Sequence, residues 1–276
     1  TGLYGNVTPY DINLTRGTSI GNNSSGYNGA GGASSKHYAA FAGGYAPNDP
    51  SQRSNLIDFY NSSLTKTSGT LTDKKYSVKG ASVGDYIIFV GGRSTLNTNN
   101  GDAYSVSLSK AYLQISSYGD PGAAQNSNYA VFAGGKSDYT SNNLTAKVTA
   151  FNADLIKTNP TNMPSACTPQ GGNVNEYIVF IQGNGTIYVY DETLTLLTPI
   201  IVTTVGSGVI VSTKIGVFRP TRTVIDLIGS DLTISQIPYG WEIDTDWMDS
   251  GAIENKVVIY QYSHTNNTYG LYAYTF

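Results

Sequence analysis

The chain repeats one short pattern four times. The copies lie at Gly32–Gly44, Gly80–Gly92, Ala123–Gly135 and Gly171–Gly183. Each copy joins small and polar residues to a tyrosine, an uninterrupted apolar run and a final Gly-Gly or Gln-Gly pair. A pattern that recurs at such regular intervals indicates an array of small supersecondary units. The repeat therefore constrains the fold more strongly than any local signal along the chain. Function is then expected where the copies differ.

Weaker copies continue the series to the end of the chain. Val209–Phe218 and Gly251–Tyr260 keep the spacing and the apolar run but lose the glycine pair. The six copies are anchored near residues 32, 80, 123, 171, 209 and 251, so residues 1–276 are predicted to form a single domain of six units.

Each unit is predicted to consist of antiparallel hairpins. Turn residues such as Gly84-Asp85 separate a Gly/Ala-rich first strand from an apolar second strand such as Tyr86–Val90. A strand without polar alternation is typical of one that is covered on both faces. The closing Gly-Gly permits backbone angles that other residues avoid.

A third and a fourth strand complete the unit. The third ends in an aromatic or apolar residue, a short polar turn and leucine, as in Phe151–Leu155 and Tyr190–Leu194. Fourth strands are predicted at 65–71, 112–116 and 196–202, and no segment shows sustained helical periodicity. The predicted fold class is therefore all-β, a six-bladed β-propeller.

Closure of the ring is predicted from the N-terminus. The last unit has a second strand at 257–262 and a third at 271–276 but no segment for an outer strand, so 7–14 is expected to donate the closing strand. Val7–Leu14 nevertheless looks most like the third strand at Val148–Leu155. Seven blades, one of them split, are the alternative.

The order of these features resembles the kelch repeat. The resemblance is best at Tyr38–Leu64, Tyr86–Leu108, Tyr129–Leu155 and Tyr177–Leu194, although leucine stands where kelch repeats usually have tryptophan. It implies a kelch-like propeller, a fold that serves as protein-binding module, sugar-recognition domain and, less often, enzyme. In that family, side chains after the glycine pair commonly contact the partner, which implies such a role for Tyr45, Arg93 and Lys136.

Composition indicates the setting. Charged residues make up 13% of the chain, about half of the ~25% that is usual, whereas Tyr, Gly, Asn, Ser and Thr are abundant. The net charge of −3 argues against a nucleic-acid partner, and no apolar run is long enough to insert into a membrane. The composition resembles phage-tail and bacterial-surface attachment modules, so an extracellular or virion-associated location, as one domain of a larger tail or surface protein, is expected.

The first candidate site comprises the loops after the second strands. Tyr45–Asn55, Arg93–Asp102 and Lys136–Ala146 are long and polar, and they are expected at the same end of the units as the segments that enter the first strands. The predicted ligand-binding residues in these loops are Tyr45, Arg53, Arg93, Asn97, Lys136, Asp138 and Tyr139.

The second candidate is the acidic loop at 238–251, which contains both tryptophans of the chain. Carboxylates beside an indole ring suit a sugar, so Trp241, Glu242, Asp244, Asp246 and Trp247 are predicted ligand-binding residues. Alternatively, the two indoles pack between blades while the acids are solvated. The acidic residues start like a calcium loop, but Met248 occupies a ligand position, so no metal is predicted.

No catalytic constellation is supported by the spacing. A kelch-type copper oxidase needs two histidine ligands, and the only histidines, His37 and His264, lie at opposite ends of the repeat series. The spacing supports no Ser/His/Asp set, and no glycine loop that would bind phosphate opens a helix. We therefore expect a non-catalytic recognition or adhesion module without cofactor, which binds a host-surface glycan or protein. A glycan-processing enzyme that uses the acidic loop is the alternative.

Overall fold

The computed structural model describes residues 6–11, 13, 15–22, 29–46, 51–94, 99–115, 119–137, 143–202, 211–212, 216–220, 224–238, 248–253, 256–263 and 268–275. All regular structure in these ranges is β-strand. The chain forms two compact units, Thr1–Thr168 and Pro169–Phe276.

The first unit contains a two-stranded ribbon and three four-stranded antiparallel sheets. The ribbon pairs β1 (Asn6–Val7) with β2 (Ile20–Asn22). Sheet A consists of β3 (Gly31–Ser34), β4 (Tyr38–Ala42), β5 (Ser54–Asn61) and β6 (Lys66–Lys75). Sheet B consists of β7 (Lys79–Val83), β8 (Tyr86–Val90), β9 (Asn100–Tyr104) and β10 (Lys110–Gln114). Sheet C consists of β11 (Gly122–Gln125), β12 (Ala130–Ala133), β13 (Val148–Phe151) and β14 (Lys157–Thr158).

The second unit continues the same design. Sheet D consists of β15 (Gln170–Val174), β16 (Tyr177–Ile181), β17 (Thr186–Tyr190) and β18 (Ile200–Ile201). Sheet E consists of β19 (Val211–Ser212), β20 (Gly216–Pro220), β21 (Val224–Gly229) and β22 (Ile234–Pro238). Sheet F has three described strands, β23 (Met248–Ile253), β24 (Lys256–Ser263) and β25 (Thr268–Thr275). Each predicted sequence repeat thus corresponds to one antiparallel sheet, and the strands of that sheet pair in chain order.

The hydrophobic core lies in the seams between neighbouring sheets. In β8, Ile87 and Phe89 belong to a buried cluster shared with sheet A, whereas Ile88 and Val90 belong to one shared with sheet C. Because successive strand residues point to opposite faces, a strand between two neighbours must be apolar at every position. This explains the uninterrupted apolar runs of the second strands.

The turn between the third and fourth strands is the same in several sheets. In sheet C, the Asn152 side chain accepts hydrogen bonds from the backbone amides of Asp154 and Ile156, and the Leu155 amide donates to the Asn152 carbonyl oxygen. Asn61 and Asp191 make equivalent bonds in sheets A and D. The aromatic–Asx–x–x–Leu motif is therefore a turn in which an Asx side chain replaces backbone partners.

The glycine pairs adopt the backbone angles predicted for them. Gly43 and Gly44 have φ values of 69° and 101°, and Gly91 and Gly92 have 63° and 89°. These left-handed values lie outside the range that most residues adopt without strain. The pairs end the second strands and turn the chain into the loops that follow.

The N-terminal segment differs from the prediction of one closing strand over 7–14. Asn6–Val7 pairs with Ile20–Asn22, and the chain reverses between Tyr10 and Arg16, which form an isolated bridge. The Asp11 carboxylate accepts the backbone amides of Asn13 and Thr15, as the Asx residue does in the other turns. A segment with a turn signal at its centre cannot continue as a strand. The segment instead forms a hairpin whose Asx turn resembles the turn between the third and fourth strands of the other sheets, and the number of blades stays a prediction.

Candidate functional site

Two kinds of segment meet at one end of the sheets in the first unit. The residue after the glycine pair of sheet B, Arg93, forms a backbone bridge with Tyr76, which precedes β7; the Arg93 amide lies 2.7 Å from the Tyr76 carbonyl oxygen. In sheet C, Lys136 bridges Gly119 in the same way, with a 2.6 Å bond from its amide to the Gly119 carbonyl oxygen. These bridges fix the side chains that follow the glycine pairs beside those that enter the first strands.

Two arginines flank one tyrosine at this end. The guanidinium carbon of Arg53 lies 5.5 Å from the centre of the Tyr76 ring, and that of Arg93 lies 5.6 Å from it. Arg93 Nη1 also lies 3.4 Å from the Tyr76 hydroxyl. Both cations are within the range of a cation–π interaction, which orients the flexible arginine side chains on a rigid ring.

The Asp120 carboxylate contacts both Arg93 and Lys136. Arg93 donates from Nη2 to Asp120 Oδ2 at 2.8 Å and from Nε to the same oxygen at 3.3 Å. Lys136 Nζ lies 3.8 Å from that oxygen. The hydrogen bond to Asp120 raises the pKa of Arg93, although burial opposes it, so this guanidinium stays charged at any physiological pH.

These five side chains, which we call the loop-end row, are Arg53, Tyr76, Arg93, Asp120 and Lys136. Three cations and one carboxylate give the row a formal charge of +2 in a chain of net charge −3. The side chains of Arg93, Asp120 and Lys136 are 34%, 22% and 18% exposed, so the row is partly shielded but accessible. A partly exposed guanidinium in such a row can donate hydrogen bonds to a planar acceptor group.

The structure brings several of the predicted residues together. Arg53, Arg93 and Lys136 belong to the row, and Tyr45 forms a backbone bridge with Arg53 at the same end. The other predicted residues lie outside the described residues, and their assignment stays a prediction: Asn97, Asp138, Tyr139, Trp241, Glu242, Asp244, Asp246 and Trp247.

The sequence reasoning missed Tyr76 and Asp120. Both lie in segments that enter a first strand, and such segments were expected at the same end as the long loops. The rule that could have identified them was therefore available, but neither residue lies in a repeated motif that draws attention to it.

Other buried charges in the described residues stabilise sheets. Asp58 accepts a 2.8 Å bond from the Ser68 hydroxyl, and Asp102 accepts the Thr72 backbone amide at 2.9 Å. Both carboxylates are fully buried, as is the ion pair of Arg219 and Asp226 at 3.4 Å. Burial without access to solvent makes these groups structural rather than ligand-binding.

The described ranges contain neither a candidate metal cluster nor a candidate membrane-spanning helix. No three His, Cys, Asp or Glu residues there are grouped so that they could hold a metal ion. None of the elements in those ranges is a helix of the length and hydropathy that would cross a membrane.

Comparison with known proteins shows the fold. No family model matches the chain, and no curated protein matches it by sequence. Among solved structures, the chain is similar to the selenomethionine-substituted virginiamycin B lyase from Staphylococcus aureus, with a TM-score of 0.62 and 13% sequence identity. The similarity covers 92% of this chain and 84% of that one. The neighbour is a β-propeller, and the repeated four-stranded sheets of this chain match a propeller-like, all-β fold.

Proposed function

We propose that this protein is a non-catalytic recognition module that binds a host-surface glycan or protein through the loop end of its first unit. The loop-end row carries the proposal. It places charged and aromatic side chains on loops and loop junctions that a rigid set of sheets holds in position, which is the usual arrangement of a binding site.

The chemistry of the described loop end favours binding over catalysis. Cys167 lies at this end, where its carbonyl oxygen accepts the Gly135 amide. However, its side chain is buried, and burial raises the pKa of the thiol to about 11, so the thiolate nucleophile is scarce at neutral pH. His37 lies in the β3–β4 turn at the opposite end of sheet A.

We propose a kelch-like propeller with six blades, one for each repeat copy. Seven blades, one of them split, are the alternative, and the hairpin at Tyr10–Arg16 is the observation that favours this alternative. The polar, charge-poor composition supports an extracellular or virion-associated setting, such as a phage tail, within a larger protein.

A glycan-processing enzyme is the second candidate. Virginiamycin B lyase is by its name an enzyme, and a propeller can carry an active site as well as a binding site. In this chain the acidic residues of 238–251 would have to supply the catalytic groups, because that loop contains carboxylates beside tryptophan.

Glycan-array binding followed by mass analysis of the bound glycans separates the two candidates. The proposal predicts binding with every glycan recovered intact, whereas a changed mass would show turnover and contradict it. Arg93→Ala is expected to abolish binding, and Trp241→Ala and Trp247→Ala are expected to retain it in protein that is still folded. The reverse pattern would assign recognition to the acidic loop.

A further inference from the structure

We infer that the outer edge of β10 pairs antiparallel with the same strand of a second copy of this chain, so that sheet B of each copy joins into one continuous sheet. The pairing is centred on Tyr112. This inference goes beyond the proposed recognition function and does not depend on it. It follows from the open backbone edge of β10, from the protection of other outer strands and from the self-complementary sequence of β10.

The outer edge of β10 carries unpaired backbone groups. The Ile115 amide, directly after the strand, donates to the Asn99 carbonyl oxygen at 2.8 Å. Hydrogen-bonded and non-hydrogen-bonded pairs alternate along an antiparallel ladder, so the odd-numbered residues of β10 bond to β9 and the even-numbered ones face away from it. Within the part of the chain that the structure describes, no backbone partner faces the outward amides and carbonyl oxygens of Lys110, Tyr112 and Gln114.

The two faces of β10 differ in exposure. The side chains of Lys110, Tyr112 and Gln114 share one face and are exposed, and 55% of Tyr112 is accessible to solvent. Ala111 and Leu113 lie on the other face, where they pack into the core between sheets B and C. The core therefore holds the strand in place, while its edge and its tyrosine remain accessible to a partner.

Other outer strands have features that protect an edge. In sheet A, side chains of sheet B cover the edge of β6: the Thr72 amide donates to Asp102 at 2.9 Å, and the Thr70 carbonyl oxygen accepts Lys110 Nζ at 3.1 Å. β14 and β18 are only two residues long, and β22 ends at Pro238, which has no amide to donate. Short strands, side-chain cover and proline all block edge pairing. β10 is a five-residue strand with neither proline nor side-chain cover on its described edge.

The sequence of β10 complements itself around a two-fold axis at Tyr112. In the antiparallel register, Tyr112 lies opposite Tyr112 of the second copy, and Lys110 lies opposite Gln114. Aromatic pairs across strands are favourable, and a glutamine side chain can accept a hydrogen bond from an ammonium group. The only charge on the strand is paired within its own chain, because Lys110 Nζ lies 3.5 Å from Asp102 Oδ1. A second copy therefore fits this edge without bringing like charges together.

Sedimentation velocity of the chain at increasing concentration tests the inference. A contact through one short strand is smaller than a standard interface, so we expect a dimer with a dissociation constant of about 10 µM to 1 mM. Tyr112→Pro removes one outward amide and leaves the bonds of β10 to β9 in place, so we expect it to weaken dimerisation about tenfold or more. Thermal unfolding shows whether the variant is folded.

Tyr112→Lys keeps the test valid if the proline variant does not fold. It leaves the backbone unchanged but places two like charges opposite each other at the two-fold axis, so it should also weaken dimerisation about tenfold or more. Ile201→Lys is the matched control, because Ile201 is an exposed apolar residue of another outer strand, β18, and gains the same charge. Dimerisation should be unchanged in this variant.

Cysteine variants test the register. Residues directly opposite each other in a hydrogen-bonded antiparallel pair have α-carbons about 5.5 Å apart, which is within the range of a disulfide. Tyr112→Cys is therefore expected to give a disulfide-linked dimer on mild oxidation. In Gln114→Cys the two cysteines would lie four residues apart along the paired strands, about 13 Å, so this variant should not link. The native Cys167 is buried and does not compete.

Three results would overturn the inference. A chain that stays monomeric at every concentration would rule out the second copy and leave the edge to a strand of a different protein. A dimer that neither Tyr112→Pro nor Tyr112→Lys weakens would use another surface. Linking of Gln114→Cys as readily as Tyr112→Cys would contradict the register centred on Tyr112. None of these results bears on glycan binding at the loop end, which the glycan array tests separately.

Discussion

Leucine adopts a left-handed backbone conformation at the end of the third-to-fourth-strand turn in sheets A to E. The φ values of Leu64, Leu155 and Leu194 are 60°, 59° and 66°. This conformation costs a residue with a side chain about 1–2 kcal/mol. The cost is offset where the side chain packs, as Leu155 does against the core between sheets B and C, whereas Leu64 is 42% exposed.

Replacing these leucines with glycine should therefore have opposite effects. Leu64→Gly relieves the strain and loses little packing, so we expect the free energy of unfolding to stay the same or rise by up to about 1 kcal/mol. Leu155→Gly loses apolar burial as well, and we expect a net loss of about 1 kcal/mol or more. Urea unfolding of both variants checks this, and equal stability of the two would contradict the assigned role of the leucine side chain.

The stability of the turn that contains Asp191 is expected to depend on pH. Burial opposes ionisation of its carboxylate, but the Thr193 hydroxyl and the backbone amides of Thr195 and Thr193 donate to it and lower its pKa below the ordinary 3.8. A pKa that is lower in the folded state contributes stability above the ordinary value, and this contribution is lost as the pH falls through and below it.

Asp191→Asn should accordingly lose less stability in acid than the unsubstituted protein. Asparagine keeps the acceptor oxygen without titrating, and asparagine occupies the equivalent position at Asn61 and Asn152. Unfolding temperatures measured from pH 7 down to about pH 2 should fall less steeply in this variant. Asp154→Asn is the control, because the Asp154 carboxylate is not the acceptor in its turn. Parallel curves for Asp191→Asn and the unsubstituted protein would contradict the assignment.

At the scale of the element, the first strands of sheets A and B approach very closely. A β-carbon added at Gly80 would lie 2.5 Å from the carbonyl oxygen of Gly32, a backbone atom that cannot move aside. A β-carbon added at Gly32 itself would meet nothing within 4 Å. Although the two glycines occupy the same position of the repeat, the available space requires glycine at Gly80 and not at Gly32.

Alanine at these two positions should separate the effects of space and of backbone freedom. We expect Gly80→Ala to destabilise the protein by about 1–3 kcal/mol, because β3 and β7 must move apart. Gly32→Ala should change the stability by less than about 0.5 kcal/mol. Chemical denaturation of both variants provides the measurement. A neutral Gly80→Ala would show that the first strands do not pack as closely as described.

The single cysteine of the chain, Cys167, lies in the segment that precedes β15. The Cys167 thiol is buried, and the backbone carbonyl oxygen of Cys167 accepts a 2.7 Å hydrogen bond from the Gly135 amide. Because burial raises the thiol pKa to about 11, we expect Cys167 to react with a disulfide reagent at pH 8 far more slowly than a free cysteine does. The urea-unfolded protein should react at the free rate. Rapid reaction of the folded protein would contradict the described packing of this segment.

At the scale of the whole molecule, the repeat pattern predicted most of the strands. The apolar run Tyr86–Val90 is strand β8 with the same bounds, because burial on both faces leaves a signal at every residue. The turns of sheets A, C and D were equally clear, since each contains an Asx residue whose side chain accepts hydrogen bonds from the backbone amides of the turn. The fourth strands were located less accurately: 196–202 was predicted, and only Ile200–Ile201 is a strand in sheet D.

The candidate site was less predictable than the strands. Arg93 and Lys136 could be identified because they follow a repeated glycine pair. Tyr76 and Asp120 could not, because their role depends on side-chain contacts between segments that are 17 and 27 residues from Arg93 along the chain. The prediction of one strand over 7–14 was wrong because the Asp11 carboxylate accepts the backbone amides of Asn13 and Thr15 and turns the chain there. The prediction gave more weight to the need for a closing strand than to this turn residue.

Amide chemical-shift mapping by NMR tests the central claim, recognition at the loop end, most directly. The isotope-labelled protein is titrated with a glycan that it binds on the glycan array, and the glycan is then recovered for mass analysis. The account predicts that the largest shifts fall at Arg53, Tyr76, Arg93, Asp120 and Lys136 and that the glycan is intact. Shifts concentrated in 238–251 with none at the loop-end row, or a glycan of altered mass, would contradict it.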